Sequence, residues 1–282
     1  LTINVIIPAY NEENCISHTL QSLVEQTQLP KNIIVVNDGS TDNTQKIIND
    51  FSQKHGFVKS VTIPSKTKHE PGSKVVRAFY KGFETLDENF DLICKFDADL
   101  IFPKNYLEKI SELFQKDSRI GIAGGFCTIK HNEGWEVESL TNKDHVRGAL
   151  KAYRKACFEA IGGLKKSIGW DTVDELLAKY HGWKVVTDQT LHVKHLKPTG
   201  ATYTKAAKYK QGEAFYKMRY GWALTQIAAL KLATKKKSPM FYYHCMQGFL
   251  KAKRKNTPFL VTEEEGKFIR QLRWKNIRKK VF

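Results

Sequence analysis

The 282-residue sequence has no uninterrupted apolar run of the roughly 20 residues needed to cross a bilayer. Its first residues show no charged n-region, apolar h-region or small-residue cleavage site, so no signal peptide is expected. Cysteine is sparse: Cys15, Cys94, Cys127, Cys157 and Cys245 are odd in number, far apart and without a Cys-x-x-Cys pair. That argues against a disulfide framework or zinc knuckle and for a reducing cytosol. No Gly-x-Gly-x-x-Gly follows the first strand-like run, and no Gly-Lys-Ser/Thr loop occurs, which counts against a dinucleotide fold and a P-loop. Acidic residues are scarce in one region. From Gly200 to Phe282 there are 4 Asp+Glu against 20 Lys+Arg, so that stretch carries +16 of the net +17 and residues 1–199 are nearly neutral. A basic tail of this kind can meet phosphates of a membrane surface, a nucleic acid or an anionic polymer.

What is present alternates. Ile3-Asn4-Val5-Ile6-Ile7 and Ile33-Ile34-Val35-Val36 are β-branched runs without polar alternation, the pattern of buried parallel strands. Each is followed by a helical stretch: Ile16, Leu20, Leu23 and Val24 share one face, and Thr41 or Asp42 can cap the helix through Phe51. A third strand spans Val58 to Ile63, and after a polar loop to Gly72 a helix carries Lys74, Arg77 and Lys81. A strand from Leu92 to Phe96 then delivers Asp97-Ala98-Asp99 into a loop, with Pro103 expected to start the next helix. This order predicts an α/β fold with a mostly parallel, doubly wound central sheet flanked by helices. Ligands of such sheets bind at the carboxyl ends of strands. There the sequence places Tyr10-Asn11-Glu12, Asn37-Asp38-Gly39 and Asp97-Ala98-Asp99. Two hard oxygen ligands with positions left for phosphates suit Mn²⁺ or Mg²⁺. Asp38 and Glu12 are candidates for base and ribose contacts, and Lys74 and Arg77 for phosphate oxygens.

Ile-Ile-Pro-Ala-Tyr-Asn-Glu-Glu at 6–13, Val-Asn-Asp-Gly-Ser-Thr-Asp-Asn-Thr at 36–44 and Phe-Asp-Ala-Asp at 96–99 resemble family 2 glycosyltransferases of the GT-A fold. The resemblance implies a nucleotide-sugar donor held around Pro8, Tyr10, Glu12, Asp38, Lys74, Arg77, Asp97 and Ala98. It implies a divalent metal on Asp97 and Asp99, completed by His195, and inversion at the anomeric carbon. Many members carry a second Asp where this chain has Asn37, so Asp38 alone is expected at the base. Inverting transfer requires a carboxylate to take the acceptor hydroxyl's proton. In the family this is the Asp of a Glu-Asp-like motif opening a helix that ends near a Gly. Alignment on Gly182 puts Asp171 there, with Trp170 in place of the acidic neighbour and Asp174, one turn later, as the alternative.

Further along, Ile120 to Phe126 reads as a strand on the acceptor side, residues 130 to 147 as a polar loop with Trp135, and Lys184–Val186 and Thr190–Val193 as two short strands. The expectation is a catalytic domain over 1–200 and a basic amphipathic helical extension over 201–282. The donor is expected to be a UDP-sugar and the acceptor a glycan or lipid-linked glycan. Residues 201–282 could lie on an anionic membrane surface, giving a cytoplasmic protein peripheral to the inner face of the cell membrane. Rival readings are a polyprenyl-phosphate sugar synthase, a sugar-phosphate nucleotidyltransferase, which normally needs a Gly-rich basic loop after its first strand, and a nucleic-acid-binding module. The last would leave the carboxylate loops idle, so no nucleic acid is expected.

Overall fold

The computed structural model describes residues 1–64, 73–131, 134–138, 145–197 and 208–281. Gly72, Pro198-Thr199-Gly200, Tyr203 and Ala206 of the sequence reading lie outside them. The chain opens with β1 (Ile3–Ala9), α1 (Ile16–Val24), β2 (Asn32–Asn37), α2 (Thr44–Lys54), β3 (Val58–Thr62), α3 (Ser73–Phe83) and β4 (Leu92–Phe96). There follow β5 (Leu100–Ile101), α4 (Tyr106–Lys116), β6 (Ile120–His131), β7 (Gly134–Val137), β8 (Leu150–Arg154), α5 (Lys155–Ala160), α6 (Trp170–Tyr180) and β9 (Lys184–His195). Four helices complete it: α7 (Lys210–Lys217), α8 (Gly221–Lys235), α9 (Pro239–Arg254) and α10 (Glu263–Val281).

One sheet runs in the order β3-β2-β1-β4-β8-β6-β9-β5, with β7 paired to β6. The parallel character read from the sequence belongs to β3-β2-β1-β4, where Val5 faces Ile33 on one side and Cys94 on the other. β1, β2 and β4 are buried on both faces, which is why they lack polar alternation, whereas β3 at the edge is largely exposed. Beyond β4 the sheet is mixed: β8 enters antiparallel to both β4 and β6. This inserted strand brings residues 145–154 alongside the strand that leads into Asp97.

Three local expectations change. Residues 103–105 form a turn, with Tyr106 N donating to Pro103 O at 3.0 Å, so α4 begins three residues after the proline. The two short strands expected at 184–186 and 190–193 are one irregular strand, β9. Its register against β6 jumps between Gly124 and Phe126. The strands approach closely there, since a Cβ on Gly125 would sit 2.3 Å from the Leu191 carbonyl oxygen. Part of the expected 130–147 loop is the β6–β7 hairpin, with Trp135 paired to Lys130 and Lys194 Nζ 5.3 Å from its ring.

The core of the sheet continues without a break into the C-terminal helices. Phe215, Tyr220 and Phe249 are buried, and Phe268 of α10 meets Tyr180 at the end of α6 with ring centroids 5.5 Å apart. The basic character of this region is therefore carried on the outside of packed helices.

Candidate active site

The carboxyl ends of β1 and β2 are stitched together first. Asn11, at φ 53°, donates its N–H to Ser40 Oγ at 3.0 Å and accepts from Thr41 N through its side chain at 2.9 Å. Asp42 accepts from Glu13 N at 3.1 Å and from Thr44 N at 3.0 Å, so it ties the first loop to the second and to the first residue of α2, although the N-cap position itself falls to Asn43 and neither Thr41 nor Asp42 occupies it. Asn37 explains its own departure from the family pattern. Its carbonyl accepts from Ser40 N at 2.9 Å while its amide donates to Gln45 at 2.6 Å, and an ionised Asp could not donate. Asp38 is thus the acidic residue left at this strand end. It is 5% exposed, Lys74 Nζ lies 3.3 Å from its Oδ2, and the same ammonium sits 3.7 Å from the centre of the Tyr10 ring. Arg77 follows one turn along α3, half-buried. Pro8 pairs with Val36 within the sheet.

The Asp97-Ala98-Asp99 loop is held from beneath by residues that the motifs did not indicate. Thr19 Oγ donates to Ala98 O at 2.8 Å and accepts from Leu100 N at 3.0 Å. Ser22 Oγ accepts from Phe102 N at 3.1 Å, and Gln26 Oε1 from Leu107 N at 2.9 Å. Thr19 and Ser22 fall on the buried side of α1 and Gln26 lies just past its end, so polar residues on an otherwise apolar face were the available signal. Ala98 itself is buried, and through its carbonyl it shapes the loop. Lys95, inside β4 and 2% exposed, was also missed. Its ammonium pairs with Asp97 Oδ1 and donates to Gly148 O at 3.0 Å.

Asp99 and His195 meet where β5 pairs with β9. His195 Nε2 is 3.4 Å from Asp99 Oδ2, and Nδ1 is 3.5 Å from Glu138 Oε2. The ring is buried and Nδ1 has no hydrogen-bond partner, while Glu138 is paired with Arg147. Among the described residues no three His, Cys, Asp or Glu side chains form a ready cage for a metal. One carboxylate and one imidazole together, beside the third-exposed carboxylate of Asp97, nevertheless form a donor set that phosphate oxygens and water would complete. The residues fit a divalent cation. Glu12 lies beside them: burial raises its carboxyl group above the ordinary value, opposed by its bond to Lys197 (2.6 Å) and reinforced by the charges of Asp99 and Asp97.

Asp171 and Asp174 part company. Asp174 is fully buried, bound by Lys151 Nζ at 2.7 and 2.9 Å and by Tyr153 OH at 2.5 Å. Burial pushes its carboxyl up, to about 6, against the pull of Lys151. Asp171 has its side chain one-third exposed at the start of α6, after Gly169 at φ 75°. Burial would raise its carboxyl, but His145 and the charges of Lys151 and Lys95 outweigh it and hold it at about 2. Between Asp171 and the metal-type pair runs a continuous path. Lys95 touches Asp97, lies 5.4 Å from the Trp170 ring and acts electrostatically on Asp171. Gly148 lets these pieces close up, since a Cβ there would meet Trp170 and Asp171 at 2.9 and 3.0 Å.

Comparison with known proteins bears on the family and the fold. "Probable glycosyltransferase YdaM" of Bacillus subtilis (strain 168) is 43% identical over 101 residues, covering 34% of this chain and 22% of that protein. A poly-beta-1,6-N-acetyl-D-glucosamine synthase of Staphylococcus epidermidis is 27% identical over 165 residues, 58% of this chain and 35% of the other. In these alignments the chain matches no more than about a third of its relatives' length. Among solved structures, the mannosyltransferase PcManGT from Pyrobaculum calidifontis, in complex with GDP-Man and Mn²⁺, superposes with a TM-score of 0.59 at 16% identity, covering 99% of this chain and 80% of that one. S. aureus TarS 1-349 in complex with UDP gives 0.57 at 16% identity, covering 82% and 66%. These likenesses establish the GT-A fold. Residues 4–163, more than half of the chain, match the model for Glycosyl transferase family 2, and the chain belongs to that family.

Proposed function

We propose that this protein is a metal-assisted, inverting glycosyltransferase that moves a sugar from a nucleotide-sugar donor, a UDP-sugar, to a hydroxyl of a glycan or lipid-linked glycan. The observation that carries the reading is the grouping of three acidic stations at the sheet's carboxyl edge: Asp38 with Lys74, Asp97 and Asp99 with His195, and a one-third-exposed Asp171. Asp38 accepts from the base, Tyr10 and Glu12 flank base and ribose, and Lys74 and Arg77 place positive charge toward the phosphates. Asp97, Asp99 and His195 would hold Mn²⁺ or Mg²⁺, which when bound neutralises charge on a departing diphosphate. Asp171 takes the acceptor hydroxyl's proton as that oxygen attacks opposite the leaving group, which inverts the anomeric centre. Asp174, sealed beneath it, supports α6. A UDP donor is supported by the UDP complex of TarS, and a glycan acceptor by the polysaccharide synthase among the relatives.

The division of labour proposed is a catalytic domain over 1–200 and a helical extension over 201–282 that rests on anionic lipid at the inner face of the cell membrane. Among the described residues no helix is long and apolar enough to cross a membrane. On α8 and α9, however, Trp222, Ile227, Leu230, Met240 and Tyr243 are exposed beside Lys231 and the 235–237 lysines. Apolar side chains ringed by cations suit an interfacial position.

The test is a panel of nucleotide sugars scored for thermal stabilisation and slow hydrolysis, with and without Mn²⁺ or Mg²⁺, against the D97A/D99A double variant. Metal-dependent stabilisation by one UDP-sugar, lost in the variant, is the expected result. Failure of every nucleotide sugar with either metal would sink the proposal.

A further inference from the structure

The stretch just before β8 supplies a residue that neither the motifs nor the family reading placed in the site. His145 stands between two carboxylates of α6: its Nε2 is 3.7 Å from Asp171 Oδ2 and its Nδ1 is 3.0 Å from Glu175 Oε1. Its side chain is 18% exposed and that of Glu175 is 7%, so this pair is sheltered, while Asp171 keeps one-third of its side chain open. Glu175 Oε1 is fixed in turn by Val146 N at 2.9 Å and by Lys151 Nζ at 3.3 Å. The neighbouring backbone is anchored as well, because Gly148 O accepts from Lys95. Resting on the reading of Asp171 as the base, we infer that His145 is a positioning residue that clamps Asp171 Oδ2 and leaves Oδ1 for the acceptor hydroxyl.

The arrangement has a physical rationale. A carboxylate at a helix start can rotate about χ2 and present either oxygen, and only one orientation faces an acceptor. An imidazolium anchored by Nδ1 on an immobile glutamate, with Nε2 in ion-pair range of the mobile aspartate at 3.7 Å, restricts that freedom. The charges around it favour the doubly protonated ring. Asp171 and Glu175 face it from α6, with Lys151 and Tyr153 on β8 and Asp174 below, and Lys95 on β4 acts on Asp171 from the far side. Burial opposes the charge, but the bonds to Asp171 and Glu175 prevail and hold the ring protonated up to about 9. A histidine serving only to pack the loop would need Glu175 alone.

The experiment follows the imidazole C–H resonances of the full chain by NMR across pH, in the wild type, D171N and E175Q. His145 is assigned by its absence from H145N or, should H145N not fold, by through-bond connection to the Val146 amide. D171N is expected to lower the His145 midpoint by about one unit, a tenfold change in its proton affinity. An unmoved midpoint in D171N, with E175Q alone shifting it, would reduce His145 to a structural residue and overturn the inference. A kinetic arm uses the nucleotide sugar returned by the donor panel: H145N should lower kcat for hydrolysis roughly tenfold or more and leave donor KM within about twofold. Equal kcat in H145N and wild type would overturn the inference too. Full turnover by D171N would instead remove Asp171 as base, an outcome read separately from the NMR coupling.

Discussion

Lys151→Met tests whether the ion network beneath α6 is as dry and as charged as its geometry states. The Lys151 side chain is 0% exposed, and its ammonium meets Asp174 at 2.7 and 2.9 Å, Glu175 at 3.3 Å and the Asp171 carbonyl oxygen at 2.5 Å. Removing it strands two carboxylates in a region where Asp174 has no access to water. Breaking a buried pair from one side typically costs about 3–5 kcal/mol. With an unfolding entropy of about 2.1 cal/mol/K per residue, 282 residues give about 0.6 kcal/mol/K, so the melting temperature should fall by about 5–8 °C. Protonation of Asp174 is the escape route, which gives the deficit a pH signature. Burial already pushes this carboxyl above its unfolded value, and loss of Lys151 pushes it further. A carboxyl with a raised folded-state pKa destabilises progressively as pH rises from its unfolded value toward its folded one. The deficit should therefore be smaller at pH 5.5 than at pH 8. Urea unfolding of wild type, K151M and K151M/D174N at both pH values measures this. The double variant should recover at least about 1 kcal/mol, because an amide needs no counter-charge. A K151M protein within about 1 kcal/mol of wild type at pH 8, or a deficit identical at both pH values, would refute the reasoning.

Other outcomes follow from the same geometry. D171N should lower turnover by about 10²–10⁴ while keeping metal-dependent stabilisation by the donor, measured by kinetics and thermal shift; turnover within about threefold of wild type excludes it as base. Ionised His145, held up to about 9 against an unfolded value near 6.5, contributes stability that is complete below pH 6.5 and lost as pH rises through about 9. That contribution is on the order of 3 kcal/mol, so urea midpoints should fall between pH 6.5 and 9.5 in the wild type and much less in H145N. K74A should weaken UDP binding roughly tenfold in calorimetry, about 1.4 kcal/mol, and an unchanged Kd would show that the Asp38–Lys74–Tyr10 cluster is not part of the donor site.

The sequence by itself determined the parallel half of the sheet and the three acidic loops at its edge. Strands buried on both faces must be continuously apolar, so Ile3–Ile7 and Ile33–Val36 announce themselves, and chain connectivity alone puts Asp38 after the second of them and Asp97–Asp99 after Leu92–Phe96, at the carboxyl ends of their strands. Local order could not reveal what arrives from afar. The antiparallel entry of β8 between β4 and β6 brings Lys151 and Tyr153 onto Asp174 across more than 20 residues, and only that contact separates the buried Asp174 from the one-third-exposed Asp171. On a helix viewed from sequence the two are equivalent, three residues apart on one face. The same holds for Thr19, Ser22 and Gln26, ordinary polar residues until α1 is laid under the Asp97–Asp99 loop. It holds for His145, whose charge acquires partners only when distant segments close, and for the bond of Lys95 to Gly148. Periodicity records which side of an element is buried, whereas tertiary packing decides which buried polar groups find one another.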